Sequence, residues 1–114
     1  MLPKQYRLVK KTDFDRIFKK GKSVNSKFLS FRFNPNHLEK SRFGFVVPTK
    51  IFHKASLRNK IKRALREALK QKLPLIKSGL DVIVIARIGL EREARQNIST
   101  LVLNLLKEIN LVDK

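Results

Sequence analysis

The chain has 114 residues, which is room for one domain (1–114) with a single hydrophobic core and not for two. Apolar residues at 42% and charged residues at 32% exclude a disordered chain. The absence of cysteine excludes disulfides and thiolate–metal frameworks and fits a cytoplasmic protein. The formal charge of +18 is lopsided: residues 1–72 hold 21 Lys and Arg against 4 Asp and Glu, whereas residues 73–114 hold 6 against 5. A self-repelling half of this kind costs stability and implies a polyanionic partner, nucleic acid ahead of an anionic membrane surface. No apolar run approaches the roughly 20 residues that span a bilayer. The basic N-terminus lacks the apolar stretch of a secretory signal.

A short helix is expected first, capped by Thr12 with Asp15 three residues on, its apolar face made by Phe14, Ile17 and Phe18, and stopped at Gly21. Residues 28–33 read as a strand ended by the Asn34-Pro35-Asn36 turn. Arg42 to Val47 reads as a second strand halted by Pro48. A loop carrying Lys50 and Lys54 leads into a helix from about Leu57 to Lys72, with Pro74 just beyond. Asp81 to Arg87 has the apolar run of a buried strand. A last helix from about Glu91 to Ile109 shows an apolar stripe of Ala94, Ile98, Leu101, Val102, Leu105, Leu106 and Ile109, with Glu91 and Glu93 at its positive end. Helices and strands in this order suggest an α+β sandwich over a small mixed sheet.

The helix from Leu57 carries the sharpest signal. Ile61, Ala64, Leu65, Ala68 and Leu69 fall on one arc. Arg58, Asn59, Lys62, Arg63, Arg66 and Lys70 are expected on the opposite arc, with Lys60 and Glu67 at its margin. An ordinary solvated face would alternate signs. Here Arg58, Lys60, Lys62, Arg63 and Arg66 include no acid, so i,i+4 ion pairing does not explain them. They also crowd the N-terminal turns, where the macrodipole opposes each cation by about 0.3–1 kcal/mol. Cations beside free helix-start amides make a phosphate seat. Asn59 reads equally as a capping residue or as an RNA-facing donor.

Arg58-Asn59-Lys60-Ile61-Lys62-Arg63-Ala64-Leu65-Arg66-Glu67 closely resembles the RNR motif, R-N-R-x-K-R-x-x-R-[DE], of the bacterial ribonuclease P protein subunit. Weaker pieces of that family's pattern follow in order: Leu2-Pro3-Lys4 with Tyr6-Arg7-Leu8, Asp13-Phe14 through Ile17-Phe18 to Gly21-Lys22-Ser23, Phe43 to Val47, and Asp81 to Arg87. The resemblance implies an αβββαβα two-layer sandwich related to the second domain of ribosomal protein S5. The RNR helix would sit in a left-handed crossover, against the usual right-handed rule. It also implies a protein subunit of an endoribonuclease that removes the 5′ leader of precursor tRNA. The catalytic centre would be in the partner RNA, with magnesium held mainly by RNA and substrate phosphates. Arg58, Asn59, Lys60, Lys62, Arg63, Arg66, Lys50 and Lys54 would bind the catalytic RNA. A cleft between the first helix and the sheet would bind the leader. Lys60 stands where the family usually has Arg, keeping charge but losing the planar fork. Val47-Pro48-Thr49-Lys50 replaces a commoner V-[SA]-K-K.

Phe14, Phe18, Phe31 and Phe33 all lie in the basic half, either as core or as platforms for unpaired bases, which stack on aromatics at about 1–3 kcal/mol per base. The family's cleft pattern falls on Phe14, Phe18, Arg16 and, by strand register, Phe31. A one-residue slip would turn Phe31 to the other face. No residue is expected to be catalytic or to bind a metal: His37 and His53 are isolated in loops, and the 9 acids form no metal motif, which argues against a protein-only nuclease. No DNA or membrane partner is expected. The competing class is a structural RNA-binding protein of ribosomal type.

Overall fold

A computed structural model describes residues 2–113. Its elements are α1 (Lys11–Lys20), β1 (Lys22–Asn25), β2 (Leu29–Pro35), β3 (Arg42–Val46), α2 (Ala55–Lys70), β4 (Leu80–Ala86) and α3 (Arg95–Glu108), with single 3₁₀ turns at 4–6, 73–75 and 90–92. The four strands form one mixed sheet in the order β1-β2-β4-β3, with β3 and β4 parallel and the other pairs antiparallel.

The main core lies between one sheet face and the α2–α3 layer. Phe31, Phe43, Val82 and Val84 from the strands meet Leu65, Leu69, Val102 and Leu106 from the helices, all essentially inaccessible. Each such side chain contributes about 1.5–3 kcal/mol by leaving water. The five apolar positions expected on α2 are its five buried residues. Lys72, just past that helix, is buried as well. Its ammonium donates to the Ala68 carbonyl (3.1 Å) and the Ser99 hydroxyl (2.6 Å), tying α2 to α3, and burial pushes its pKa down.

The opposite sheet face is only partly covered. Leu8 and Ile17 close over Ile83, with Phe14, Val46 and Ile85 around them, so α1 lies across half of that face. The short α1 thus adds a partial third layer to the two-layer plan.

The β3–α2–β4 crossover is left-handed, and the backbone directions show it. Phe43 points its side chain into the α2 layer while its carbonyl accepts from the Leu8 amide (2.9 Å) outside the sheet edge. Viewed from α2 with the strand running up, the carbonyl of such an L-residue points right. β3 therefore stands to the right of β4, and the chain passes leftward through α2.

Several element boundaries differ from the sequence reading. Lys10, not Thr12, is the α1 cap, and no side chain caps that helix. β1 is a strand that the polar run Lys-Ser-Val-Asn does not announce; it is an edge strand, mostly exposed and paired only to β2. β2 runs through Asn34 and Pro35, which face Asp81 and Leu80. The last helix starts at Arg95 rather than Glu91, because residues 90–92 form a separate turn entered through Gly89 at φ 100°. There Glu91 accepts from the Gly89 amide (2.8 Å) instead of serving the helix start.

Candidate nucleic-acid interface

α2 begins at Ala55 with Lys54 at its cap, no side-chain cap and no acid in the first turn. Its start therefore presents uncapped amides amid cations, with Lys50 and Lys54 both exposed. Asn59 lies in the second turn and is exposed, so it is not the capping residue.

The basic side chains divide differently from the expected arc. Arg58 is half-buried, and its guanidinium donates to the Phe52 and His53 carbonyls (both 2.9 Å), bracing the loop before the helix. Lys62 and Arg66 continue this inner margin at four-residue steps. They face β3, where the Arg66 guanidinium lies 5.8 Å from the Phe45 ring centre. With Arg7, Val9 and Phe14 they line a cleft of about 190 Å³. Asn59, Lys60, Arg63 and Lys70 are the exposed members. Lys60, expected at the margin, stands fully outward. Arg58, expected outward, sits at the margin because it falls between the helix and its own entry loop.

The second feature is on the other face of the sheet. The registers place Gly44, Ile83, Arg32 and Ser23 in one row across four strands, and Val46, Ile85, Ser30 and Asn25 in the next. α1 covers the first row. The second stays partly exposed and leaves a strip of open sheet beside α1, the candidate groove. Phe14 forms the wall over Gly44, where an added Cβ would fall 2.4 Å from the ring. That position therefore has no room for a side chain while the ring stays. Phe18 stands further along, 44% exposed, its ring centre 6.0 Å from the Arg32 guanidinium. Arg32 in turn donates to the Phe18 (2.7 Å) and Gly21 (3.0 Å) carbonyls, closing the C-terminal end of α1.

Phe31 does not belong to this groove. It is 0% exposed and packs in the α2–α3 core, so it offers no face to a base. The pleat puts Leu29 and Phe31 on the core side, which leaves Ser30 and Arg32 toward α1. Arg32 was legible as the one cation in the strand, alternating with Phe31 and Phe33 at a position that a half-buried strand turns outward. Arg16 is not free either. It donates to Asn34 Oδ1 (2.5 Å) and Asp81 Oδ2 (2.6 Å), and so holds α1 to the sheet.

Asp81 is the hub of that attachment. It is fully buried at the start of β4 and accepts from Arg42 through two bonds (2.8 and 2.7 Å), from Asn36 (2.8 Å) and from Arg16. Asp13 of α1 reaches the same arginines at 3.5 and 3.7 Å. Burial pushes the Asp81 carboxyl up, but the hydrogen bonds and charges of Arg42, Asn36 and Arg16 outweigh it and hold the pKa below its ordinary value. The Asp81 partnership raises the Arg42 pKa. Sequence reading took Asp81 only as the first residue of a strand; a lone acid opening an apolar run in so basic a chain was the available signal.

Among the described residues no group of three or more His, Cys, Asp or Glu is placed to hold a metal ion, and no helix is long and apolar enough to cross a membrane. A basic helix on one side of a small mixed sheet and a cation-flanked aromatic groove on the other define a compact RNA-associating α+β subunit. The family model described as Ribonuclease P matches residues 2–110. The ribonuclease P protein component of Thermotoga maritima is 40% identical over 107 residues, covering 90% of this chain and 91% of that protein. That of Legionella pneumophila strain Lens is 38% identical over 98 residues, covering 85% and 82%. Among solved structures, the RNase P protein of Staphylococcus aureus superposes with a TM-score of 0.85 at 36% identity, covering 95% of this chain and 98% of that one. That of Thermotoga maritima gives 0.84 at 39% identity, covering 91% and 97%. The chain belongs to the ribonuclease P protein component family, the protein subunits of an endoribonuclease.

Proposed function

We propose that this protein binds the catalytic RNA of ribonuclease P through the exposed side of α2 while holding the single-stranded 5′ leader of precursor tRNA in the groove between α1 and the sheet. The observation that carries this reading is the opposition of the two features across one sheet. α2 packs on one face and Phe18 stands over the other, while Phe14 borders the edge cleft that Lys62 and Arg66 also line, so one rigid domain offers two adjoining surfaces to two RNA segments. The chemistry suits each task. Exposed cations along α2 bind phosphates without reading sequence. Phe18 backed by Arg32 offers a stacking platform beside a charge, which accepts any unpaired base. Half-buried Val46, Ile85 and Ser30 would give it a mostly apolar floor. The residues of this chain act by binding and positioning. Magnesium, held mainly by phosphates of the RNA and the substrate, would supply water activation and leaving-group stabilisation.

Reconstitution with the catalytic RNA at low magnesium should increase cleavage of precursor tRNA; no gain at any salt or magnesium concentration would sink the proposal. Phe18→Ala should leave holoenzyme assembly and thermal stability near wild type, since the ring is already 44% exposed. It should weaken binding of a leader-bearing precursor about tenfold, the scale of one lost base stack, without changing binding of mature tRNA. Equal losses on both substrates would remove the leader from this groove.

A further inference from the structure

The basic surface of α2 does not end on α2. Arg63, Arg66 and Glu67 line an open groove of about 300 Å³ together with Arg95, the first residue of α3. A second hollow of about 170 Å³ continues along the α2–α3 junction past Glu67 and Arg95 to Gln71 and Ser99. Arg95 comes from the nearly neutral half of the sequence, and only the packing of α3 on α2 brings it here. Its position does not serve its own helix: α3 has no acid in its first turn, and a cation there opposes the macrodipole. Nor does it serve an ion pair. Among the described residues, none of Arg63, Arg66, Arg95 and Glu67 forms a salt bridge, whereas Arg16, Arg42 and Lys77 all do. Arg63 and Arg95 against Glu67, with Arg66 shared between this groove and the Phe45 cleft, leave the groove net positive and unpaired by protein. Glu67 offsets part of their mutual repulsion when no anion is present.

We infer that this α2–α3 groove is a second seat for the phosphate backbone of the large catalytic RNA, with Arg95 as its α3 contribution. The inference rests on the reading that α2 binds that RNA, and it extends the contact surface by one helix. Arginine suits the task because its fork takes two oxygens of one phosphate. The groove is continuous with exposed Arg63, so a backbone strand crossing the outward side of α2 runs directly into it.

The test compares single substitutions in the intact protein bound to the catalytic RNA, across a range of salt. Arg95→Ala should weaken the complex about tenfold at moderate salt and reduce the slope of log affinity against log salt by about 0.9, the value of one phosphate contact. Arg92→Ala removes the same charge from an exposed residue three positions away that does not line the groove, and should have a much smaller effect on both. Arg95→Lys should keep the slope and lose part of the affinity. All three should melt near the wild-type temperature. Equal behaviour of Arg95→Ala and Arg92→Ala would overturn the inference. So would a loss confined to precursor-tRNA binding, which would make the groove a substrate site. Arg63→Ala separates the two levels: if it weakens the complex while Arg95→Ala does not, only the groove is lost; if neither matters, the α2 reading itself fails.

Discussion

Asp81→Ala should destabilise the protein by about 3 kcal/mol, toward the lower end of the range for breaking a buried ion pair, because Arg42 and Arg16 retain some access to water. Against a total of about 5–15 kcal/mol for a typical domain, that is a drop in melting temperature on the order of 10 °C. The reason lies in what the carboxylate joins. Arg16 belongs to α1, Asn36 to the turn after β2, and Arg42 to β3. Removing the acid leaves two guanidiniums facing each other and loosens α1, which is then held by the Arg16–Asn34 and Arg32 bonds and the packing of Ile17 on Ile83. The pH dependence has a definite sign. The folded carboxyl has a pKa below its unfolded value, near 3.9. Its contribution is therefore complete above about pH 4 and is lost as the pH falls through the folded pKa. Denaturant titrations from pH 7 to pH 2 should show wild-type stability falling more steeply than that of Asp81→Asn in the acid range. Parallel curves would show that the network contributes nothing specific. Because α1 also carries Phe14 and Phe18, Asp81→Asn should weaken leader binding at temperatures where the variant is still folded.

The second large effect concerns α2. Lys60→Ala combined with Arg63→Ala should reduce affinity for the catalytic RNA about a hundredfold at moderate salt, taking about 1.5 kcal/mol for each charge-assisted contact. The salt slope should fall by about 1.8, corresponding to two phosphates. Both side chains are exposed and neither makes an ion pair among the described residues, so folding should be unaffected. Both lie beyond the first turn of α2, so their loss should leave the helix-dipole interaction nearly unchanged. Arg58→Ala is the contrasting case. Its guanidinium braces the Phe52–His53 backbone, and its loss should lower stability as well as RNA affinity. An unchanged slope in the double variant would move the RNA contact away from the outward side of α2.

What could be read from the residues were features set by local spacing. The apolar arc of α2, the buried run of β4 and the stripe of α3 follow from periods of 3.6 and 2. The charge gradient follows from composition, and the RNR stretch identified the family that the comparisons support. Features that depend on partners distant in sequence were not legible. β1 is a strand only because β2 lies beside it, since Lys-Ser-Val-Asn has no pattern of its own. Phe31 looked like a groove residue because alternation specifies two faces without saying which one meets the helices; the α2–α3 layer settles that by taking Leu29 and Phe31 into the core.

The sequence by itself determined the class of partner, the basic helix and its family, because charge and helical periodicity are local properties. Tertiary structure alone decided which cations remain available. Burial and hydrogen bonding take Arg16 and Arg42 into the Asp81 network and Arg58 into its loop. They leave Lys60 and Arg63 in solvent and bring Arg95 from the far end of the chain to join them.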